Sequence, residues 1–139
     1  MFWKTFRQCP QIEQFCRDFD GYTLYGESIG NKELNYGFGS GKVGYAAFDI
    51  MKPDGTWFSY EEFAKTCDHY GIPRVPVLYI GPYSFECVCL LSDGPSLFNN
   101  AKHHREGIVI RSYEENTSKF GIRKCFKVVG ATYLEKSKS

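Results

Sequence analysis

The segment from Glu106 to Arg111 constrains the fold more than any other stretch of the chain. Its centre, Ile108-Val109-Ile110, is a β-branched run of the kind that fills strands, while a carboxylate and a guanidinium group lie at its two ends. Burial of an ionised carboxylate without a partner is costly. Glu106 therefore either lies at the wet end of a strand, paired with a neighbouring arginine, or faces a cavity that supplies a cation.

Length and composition predict one packed globular domain. The chain has 139 residues, of which 42% are hydrophobic and 17% aromatic. Its formal net charge of +1 gives no overall attraction to nucleic acid or to a membrane surface. No stretch reaches the roughly 18 apolar residues of a membrane span, and the first residues lack the apolar core of a signal peptide. We therefore expect a cytoplasmic protein without a membrane partner.

The six cysteines are expected to stay reduced, because no export signal directs the chain to an oxidising compartment. Cys87 and Cys89 are separated by one residue, whereas zinc-binding pairs are usually separated by two or more. His103 and His104 are adjacent, so their rings point in different directions. The sequence therefore does not favour a structural zinc site.

Alternating helical and extended patterns predict an α+β fold. An amphipathic helix is expected after Pro10, inside an N-terminal helical region over residues 1–21, with Ile12, Phe15, Cys16 and Phe19 as its apolar stripe. The Ser59 and Glu62 capping box predicts a helix that ends at Gly71. Residues 84–92 fit a helix or a strand by periodicity, and Ser84 as a cap favours the short helix; a further helix is expected over 131–136. Strands are predicted over 22–29, 45–51, 77–80, 106–111 and 122–129.

The remaining segments are interpreted as connections. Residues 30–44 are rich in Gly and Asn, lack the pattern of a phosphate-binding loop, and are expected to form a surface loop or hairpin end. Residues 114–119 are expected to connect a hairpin, and residues 135–139 to form a solvated tail. No internal repeat or linker divides the chain. We therefore expect one domain over 1–139, with a twisted, mainly antiparallel sheet and short flanking helices.

Functional side chains occur within or next to four of these strands: Glu27, Phe48, Glu106 and Lys127. Such positions can converge on one concave face of an antiparallel sheet. An aromatic ring can stack on a base, a lysine can neutralise a phosphate, and carboxylates can bind ribose hydroxyls or Mg²⁺. The structural alternatives are Phe48 as core packing, the two glutamates as salt-bridged strand residues, and Lys127 as a surface lysine.

The order of these motifs resembles that of the ATP-dependent RNA ligases, which belong to the covalent nucleotidyltransferase superfamily with DNA ligases and mRNA capping enzymes. The resemblance runs from about Tyr22 to Leu134. It is carried by Tyr25-Gly-Glu27, Leu34-Asn-Tyr-Gly37, Tyr45-Ala-Ala-Phe-Asp-Ile50, Val75-Pro-Val-Leu-Tyr79, Arg105-Glu-Gly-Ile-Val-Ile-Arg111, Phe126-Lys-Val-Val129 and Tyr133-Leu134. It implies a ligase-type nucleotidyltransferase fold, incomplete in this chain, with ATP and Mg²⁺ as cofactors.

The resemblance also implies a role for each of the four side chains. Glu27 would bind the nucleotide ribose or a metal ion, and Phe48 would stack on adenine. Glu106 would coordinate the divalent cation or contact the nucleotide. Lys127 would contact the phosphate that is transferred.

The final motif departs from the family pattern. The family usually has two lysines separated by one residue, but Cys125 occupies the first of these positions and Lys124 lies one step back, on the opposite face. Lys127 is therefore left as the phosphate-binding lysine of this motif. Arg105 and Arg111 flank the glutamate motif and are expected to orient it or to stabilise the structure.

The nucleophile is the larger departure. Ligases of this kind attack ATP with the lysine of a Lys-x-Asp-Gly motif, which lies upstream of the strand that carries Glu27 here, and no such motif occurs at that position. Lys52-Pro-Asp-Gly55 matches letter for letter, but it follows the Phe48 strand and falls in a predicted exposed turn. An exposed turn offers nothing to lower the pKa of a lysine. We therefore identify no catalytic nucleophile in the chain.

Three interpretations remain open. The first is an RNA ligase-like nucleotidyltransferase domain for ATP-dependent end joining, truncated or split, that cannot adenylate itself alone, with its lysine on another polypeptide or lost by truncation. The second is a non-catalytic module with a ligase-like fold that binds a nucleotide or RNA ends. The third is an interaction protein with a vestigial pocket. Exposed sheet edges are expected, and these favour pairing with a second copy or a partner chain.

Overall fold

The computed structural model describes residues 2–29, 44–97, 103–114 and 123–137. These form two compact units, Met1–Val75 and Pro76–Ser139. The first unit contains α1 (Phe2–Gln8), α2 (Pro10–Asp18), β1 (Thr23–Ile29), β2 (Gly44–Met51) and α3 (Tyr60–Tyr70). The second contains α4 (Phe85–Leu91), β3 (Gly107–Arg111), β4 (Cys125–Val129) and α5 (Ala131–Ser137). Nearly all of the predicted 30–44 loop and of the 114–119 connection lies outside the described residues.

The predicted α+β class is confirmed. Strands β1 and β2 form one antiparallel two-stranded sheet, and β3 and β4 form another. Helices α2 and α3 pack with the first sheet around a core of Phe15, Ala47, Ile50, Phe58, Phe63, Cys67 and Ile72. No helix among the described residues is long and apolar enough to cross a membrane.

Helix α2 confirms the amphipathic helix predicted after Pro10. Proline is tolerated at the first helical position because the backbone N–H that it lacks would have no partner within the helix. Phe15 is fully buried and stacks on Phe19, with ring centroids 4.9 Å apart. The prediction that Cys16 joins this core stripe is wrong, because Cys16 is exposed. Each residue turns about 100° around a helix, so the residue that follows Phe15 is carried away from the core.

Helix α3 begins and ends where the sequence predicts. The Ser59 hydroxyl oxygen accepts a hydrogen bond from the backbone N–H of Glu62 at 3.2 Å. Gly71 ends the helix in the left-handed region, with φ of 69°. Phe63 and Cys67 are buried on the core side, and burial raises the pKa of the Cys67 thiol to about 12.

Strands β1 and β2 contain a β-bulge. Tyr25 pairs with Asp49 and Gly26 pairs with Ala47, so Phe48 is the extra residue of β2 at the register shift. Ala47 and Ile50 both belong to the core, although residues three apart in a regular strand face opposite sides. The bulge therefore changes which alternate residues of β2 face the core.

The second unit contains a β-hairpin ladder that confirms the predicted return strand. Val109 lies directly opposite Lys127 in the antiparallel pair of β3 and β4. A side chain at Gly107 would collide with the carbonyl oxygen of Val128, so the close approach of the two backbones requires glycine there. The central β3 residue is not buried, however, because 62% of Val109 is exposed.

The two predicted helices of the second unit are also present. The Ser84 hydroxyl oxygen accepts a hydrogen bond from the Cys87 N–H at 3.4 Å, at the start of α4. This confirms the helical interpretation of that segment over the strand. Helix α5 runs from Ala131 to Ser137, which confirms the helix predicted over 131–136 and extends it into the predicted tail.

The prediction of a short buried strand over 77–80 is wrong. These residues form no ladder with any other part of the described chain, and Val77, Tyr79 and Ile80 are exposed to 43%, 47% and 58%. A strand requires a neighbouring backbone to satisfy its N–H and C=O groups. The apolar run supplies side chains suited to a strand, but not that neighbour.

Candidate functional site

Two of the four predicted site residues lie on the sheet of the first unit. Glu27 lies opposite Ala46 in the ladder, and its side chain is exposed. Phe48 is at the bulge, next to the partner of Gly26, and 41% of it is exposed. A phenylalanine that served only the core would be covered as Phe15 is. The structure therefore places an accessible aromatic ring and an accessible carboxylate on neighbouring strands.

The bulge beside Phe48 is held on both sides. On the β1 side, the ring of Tyr45 fills the space that a side chain at position 26 would occupy, which only glycine permits. On the other side, the Ala47 N–H donates to Pro73 O at 2.8 Å, and Ala47 O accepts from Val75 N at 2.9 Å. Sequence reasoning missed the bulge, because the bulge depends on pairing between distant segments.

The segment that pairs with Ala47 is itself anchored by Arg74. Its guanidinium group donates to the Asp68 carboxylate, with Nη2 3.0 Å from Oδ1, and to the Tyr60 hydroxyl at 3.2 Å. Both partners lie on α3. The helix, the bulge and the 73–75 segment therefore form one connected network in the first unit.

The other two predicted site residues meet in the second unit. Lys127 Nζ lies 3.9 Å from Glu106 Oε2, with 56% and 35% of the two side chains exposed. The Glu106 carbonyl oxygen accepts a hydrogen bond from Gly130 N at 2.8 Å, which fixes the backbone at the start of β3. An exposed ion pair contributes at most about 1 kcal/mol to stability. The Glu106 carboxylate and the Lys127 ammonium group can therefore separate and each contact a ligand at a small cost in free energy.

A polar cluster beside Glu106 was not predicted from the sequence. Arg105 Nη1 donates to Pro95 O at 3.0 Å, and Arg105 Nη2 donates to Asp93 O. The Asp93 carboxylate accepts from Thr132 Oγ1 at 2.6 Å and from Gly94 N at 2.9 Å, and these hydrogen bonds lower its pKa. The cluster ties the end of α4 to the start of α5. It agrees with the expectation that Arg105 stabilises the structure around the glutamate motif.

The Lys52-Pro-Asp-Gly55 segment forms the exposed turn that the sequence predicts. Gly55 N donates to Lys52 O at 3.0 Å, and the Asp54 carboxylate accepts from Thr56 Oγ1 at 2.6 Å. Lys52 Nζ lies 3.9 Å from Glu62 Oε2 and 5.7 Å from the centre of the Phe58 ring. Both contacts tie the Lys52 side chain to neighbouring residues of the first unit.

The described residues contain no group of three or more His, Cys, Asp or Glu side chains able to hold a metal ion. Mg²⁺ and similar ions commonly bind through one or two carboxylates together with phosphate oxygens of a substrate. The carboxylate of Glu106 is half exposed and lies beside a lysine, so it fits metal binding through a carboxylate together with phosphate oxygens.

Comparison with solved structures identifies the class to which this fold belongs. The chain is similar to Naegleria gruberi RNA ligase with PPi, with a TM-score of 0.75 and 25% identity over 98% of this chain and 40% of that one. A glutamate-to-alanine mutant of that ligase with ATP and Mn gives a TM-score of 0.76 and 24% identity, over 99% and 41%. The α+β architecture is thus the nucleotidyltransferase fold of RNA ligases. The chain spans about 40% of the length of these ligases.

The RNA ligase family model matches residues 2–129. The chain therefore belongs to the RNA ligase family, which confirms the resemblance seen in the ordered motifs. No curated protein matches the sequence.

Proposed function

We propose that this chain is the nucleotide-binding part of an ATP-dependent RNA ligase and that it binds ATP with a divalent cation. The observation that carries the proposal is the half-exposed pair of Glu106 and Lys127 in a chain of this family. The similar Naegleria ligase is described with ATP and Mn in one structure and with PPi in another, which supports a nucleotide ligand. We propose that residues 1–139 belong to one nucleotidyltransferase-like domain.

In this proposal, the first unit binds the nucleoside. Phe48 stacks its accessible ring on adenine, an interaction that tolerates any base with a π-face. Glu27 accepts hydrogen bonds from ribose hydroxyls, for which its exposed carboxylate is available.

The second unit binds the charged part of the ligand. Lys127 neutralises the phosphate that is transferred, and Glu106 coordinates the divalent cation, which we propose is Mg²⁺ in the cell. Phosphate and cation replace the two partners of the 3.9 Å ion pair, so neither charge is left without compensation. The cation would reduce the negative charge that Lys127 alone cannot balance.

The covalent step needs a lysine from outside these 139 residues. Lys52 lies in an exposed turn, 3.9 Å from the Glu62 carboxylate, and no other lysine lies in a Lys-x-Asp-Gly motif. We therefore propose that this chain binds ATP without forming a lysyl adenylate by itself, and that a partner chain or a further segment supplies the nucleophile. RNA ends are the proposed acceptor, and the free cysteines support a reducing location such as the cytoplasm.

Matched substitutions test this proposal by titration of ATP in the presence of Mn²⁺. Phe48→Ala and Lys127→Met should each weaken ATP binding about tenfold, the loss expected for one stacked base or one charge-assisted contact. Phe85→Ala and Lys124→Met are the controls, because both side chains are exposed and have no proposed role. Equal effects in test and control variants would contradict the assigned site.

The alternative is a non-catalytic module that binds nucleotides or RNA ends. An experiment that mixes the chain with a ligase segment carrying a Lys-x-Asp-Gly motif distinguishes this module from the ligase part proposed above. Transfer of labelled AMP to that segment, dependent on Lys127, supports the ligase proposal. ATP binding with no transfer under any such combination supports the binding module.

A further inference from the structure

We propose that Gly26 and Tyr45 are positioning residues for base recognition, because the Tyr45 ring lies over Gly26 and holds the bulge that presents Phe48. This inference rests on the proposed function, in which Phe48 stacks on the base. It concerns residues that act through Phe48 and not by contact with the nucleotide.

The register of the ladder between β1 and β2 sets the direction of the Phe48 side chain. Residues 44–47 of β2 pair with 26–29 of β1, and residues 49–51 pair with 23–25, so the register shifts at Phe48. An extra residue in one strand bends that strand and redirects its side chain. Phe48 therefore owes its direction to the bulge, and anything that removes the bulge turns its ring elsewhere.

The ring of Tyr45 packs over Gly26. A Cβ atom built at Gly26 would overlap the Tyr45 hydroxyl and ring carbons. Tyr45 is partly buried and packs against the core, and burial raises the pKa of its phenol to about 12. Its ring is thus fixed by the core at one end and covers the glycine at the other. An aromatic residue that covers a strand glycine in this way pins the register of the two strands.

The opposite edge of β2 is hydrogen-bonded to the 73–75 segment. Both backbone groups of Ala47 are bound to the 73–75 segment, at 2.8 and 2.9 Å, so β2 cannot slide to relieve a clash at Gly26. A side chain at position 26 would instead displace the Tyr45 ring or open the β1 to β2 ladder. Either change would disturb Ala47, which lies opposite Gly26, and Phe48, which follows Ala47 in β2.

The experiment compares affinity for ATP with affinity for inorganic tripolyphosphate, each with Mn²⁺, in the full chain. Tripolyphosphate lacks the base, so loss of stacking should leave its binding unchanged. Gly26→Ala and Tyr45→Ala should weaken ATP binding about tenfold and change tripolyphosphate binding less than twofold. Tyr45→Phe keeps the ring and should bind ATP like the unsubstituted chain.

Tyr22→Ala is the matched control, since Tyr22 is another partly buried ring against the same core and contacts Phe19 and Phe58. It should lower the melting temperature without a preferential loss of ATP. If Gly26→Ala does not fold, Tyr45→Leu, which keeps apolar bulk but no ring, provides the same comparison.

Three results would overturn the inference. If Phe48→Ala weakens ATP binding but the Gly26 and Tyr45 variants do not, the bulge does not position the ring, although the proposed function stands. If those variants weaken ATP and tripolyphosphate alike, their role is structural only. If Phe48→Ala itself has no effect, the proposed stacking fails, and this inference fails with it.

Discussion

Lys127 Nζ lies 3.9 Å from Glu106 Oε2, although the two residues belong to motifs well separated in the sequence. The antiparallel pairing of β3 with β4 brings them together, and Gly107 lets the strands approach closely at that end. A carboxylate and an ammonium group held in this way, and half exposed, can separate to bind a cation and a phosphate.

Removal of the Lys127 charge should affect ligand binding far more than folding. An exposed ion pair contributes little stability, so Lys127→Met should change the free energy of unfolding by less than about 1 kcal/mol. Inorganic tripolyphosphate should nevertheless bind about tenfold more weakly, measured by calorimetric titration with Mn²⁺. Lys124→Met, at an exposed lysine three residues away, should leave the affinity unchanged. Unaltered tripolyphosphate binding by Lys127→Met would remove the lysine from the site.

A methyl group at Gly107 should destabilise the hairpin of the second unit. The Cβ would overlap the Val128 carbonyl oxygen, so Gly107→Ala forces the strands apart. The expected loss is about 1 to 3 kcal/mol, as for other overpacked sites, measured by urea denaturation. Val109→Ala is the comparison, because Val109 is exposed on the same strand and should cost less. Equal losses for the two variants would argue against the close backbone contact.

The stability contributed by Asp93 should depend on pH. Hydrogen bonds from Thr132 and the Gly94 N–H lower the pKa of its carboxyl, so the folded state favours the ionised form. This contribution is complete above the unfolded pKa of about 4 and is lost as pH falls through the lower folded value. Thr132→Val should therefore lower the melting temperature at pH 7 and make a smaller difference near pH 2. Thr23→Val, at an exposed strand position, should show no such trend.

The chain alone should not become covalently adenylated. Lys52 contacts Glu62 and the Phe58 ring in an exposed turn, and its motif follows the Phe48 strand, downstream of the position expected for the nucleophile. Incubation with radiolabelled ATP and Mg²⁺, followed by denaturing gel electrophoresis, should give no labelled band. A labelled band that disappears in Lys52→Met would show that the Lys52-Pro-Asp-Gly55 turn is the nucleophile motif after all.

The helix ends could be predicted from the sequence because their signals are local. Ser59 and Ser84 cap helices within three residues of themselves, and Gly71 adopts the left-handed conformation that glycine accepts readily. The pairing of β3 with β4 could also be predicted, since two suitable strands are separated by a short polar stretch. These features need no knowledge of distant residues.

Other features could not be predicted, because they depend on which segments become neighbours. The bulge at Phe48 arises from the match between β1 and β2 and from the hydrogen bonds of Ala47 to the 73–75 segment. The contact between Asp93 and Thr132 joins residues on two separate helix ends. The apolar run over 77–80 has strand-like composition but no described strand beside it. The roles of the four site residues also stay predictions, because those roles depend on a bound ligand.

Equilibrium dialysis of the full chain against radiolabelled ATP with Mn²⁺ measures directly whether the chain binds ATP at the proposed site. The proposed ATP site predicts saturable binding of one ATP per chain, fully released when the protein is denatured, and lost in the Phe48→Ala, Lys127→Met double variant. Absence of saturable binding, or binding that the double variant retains in full, would contradict it.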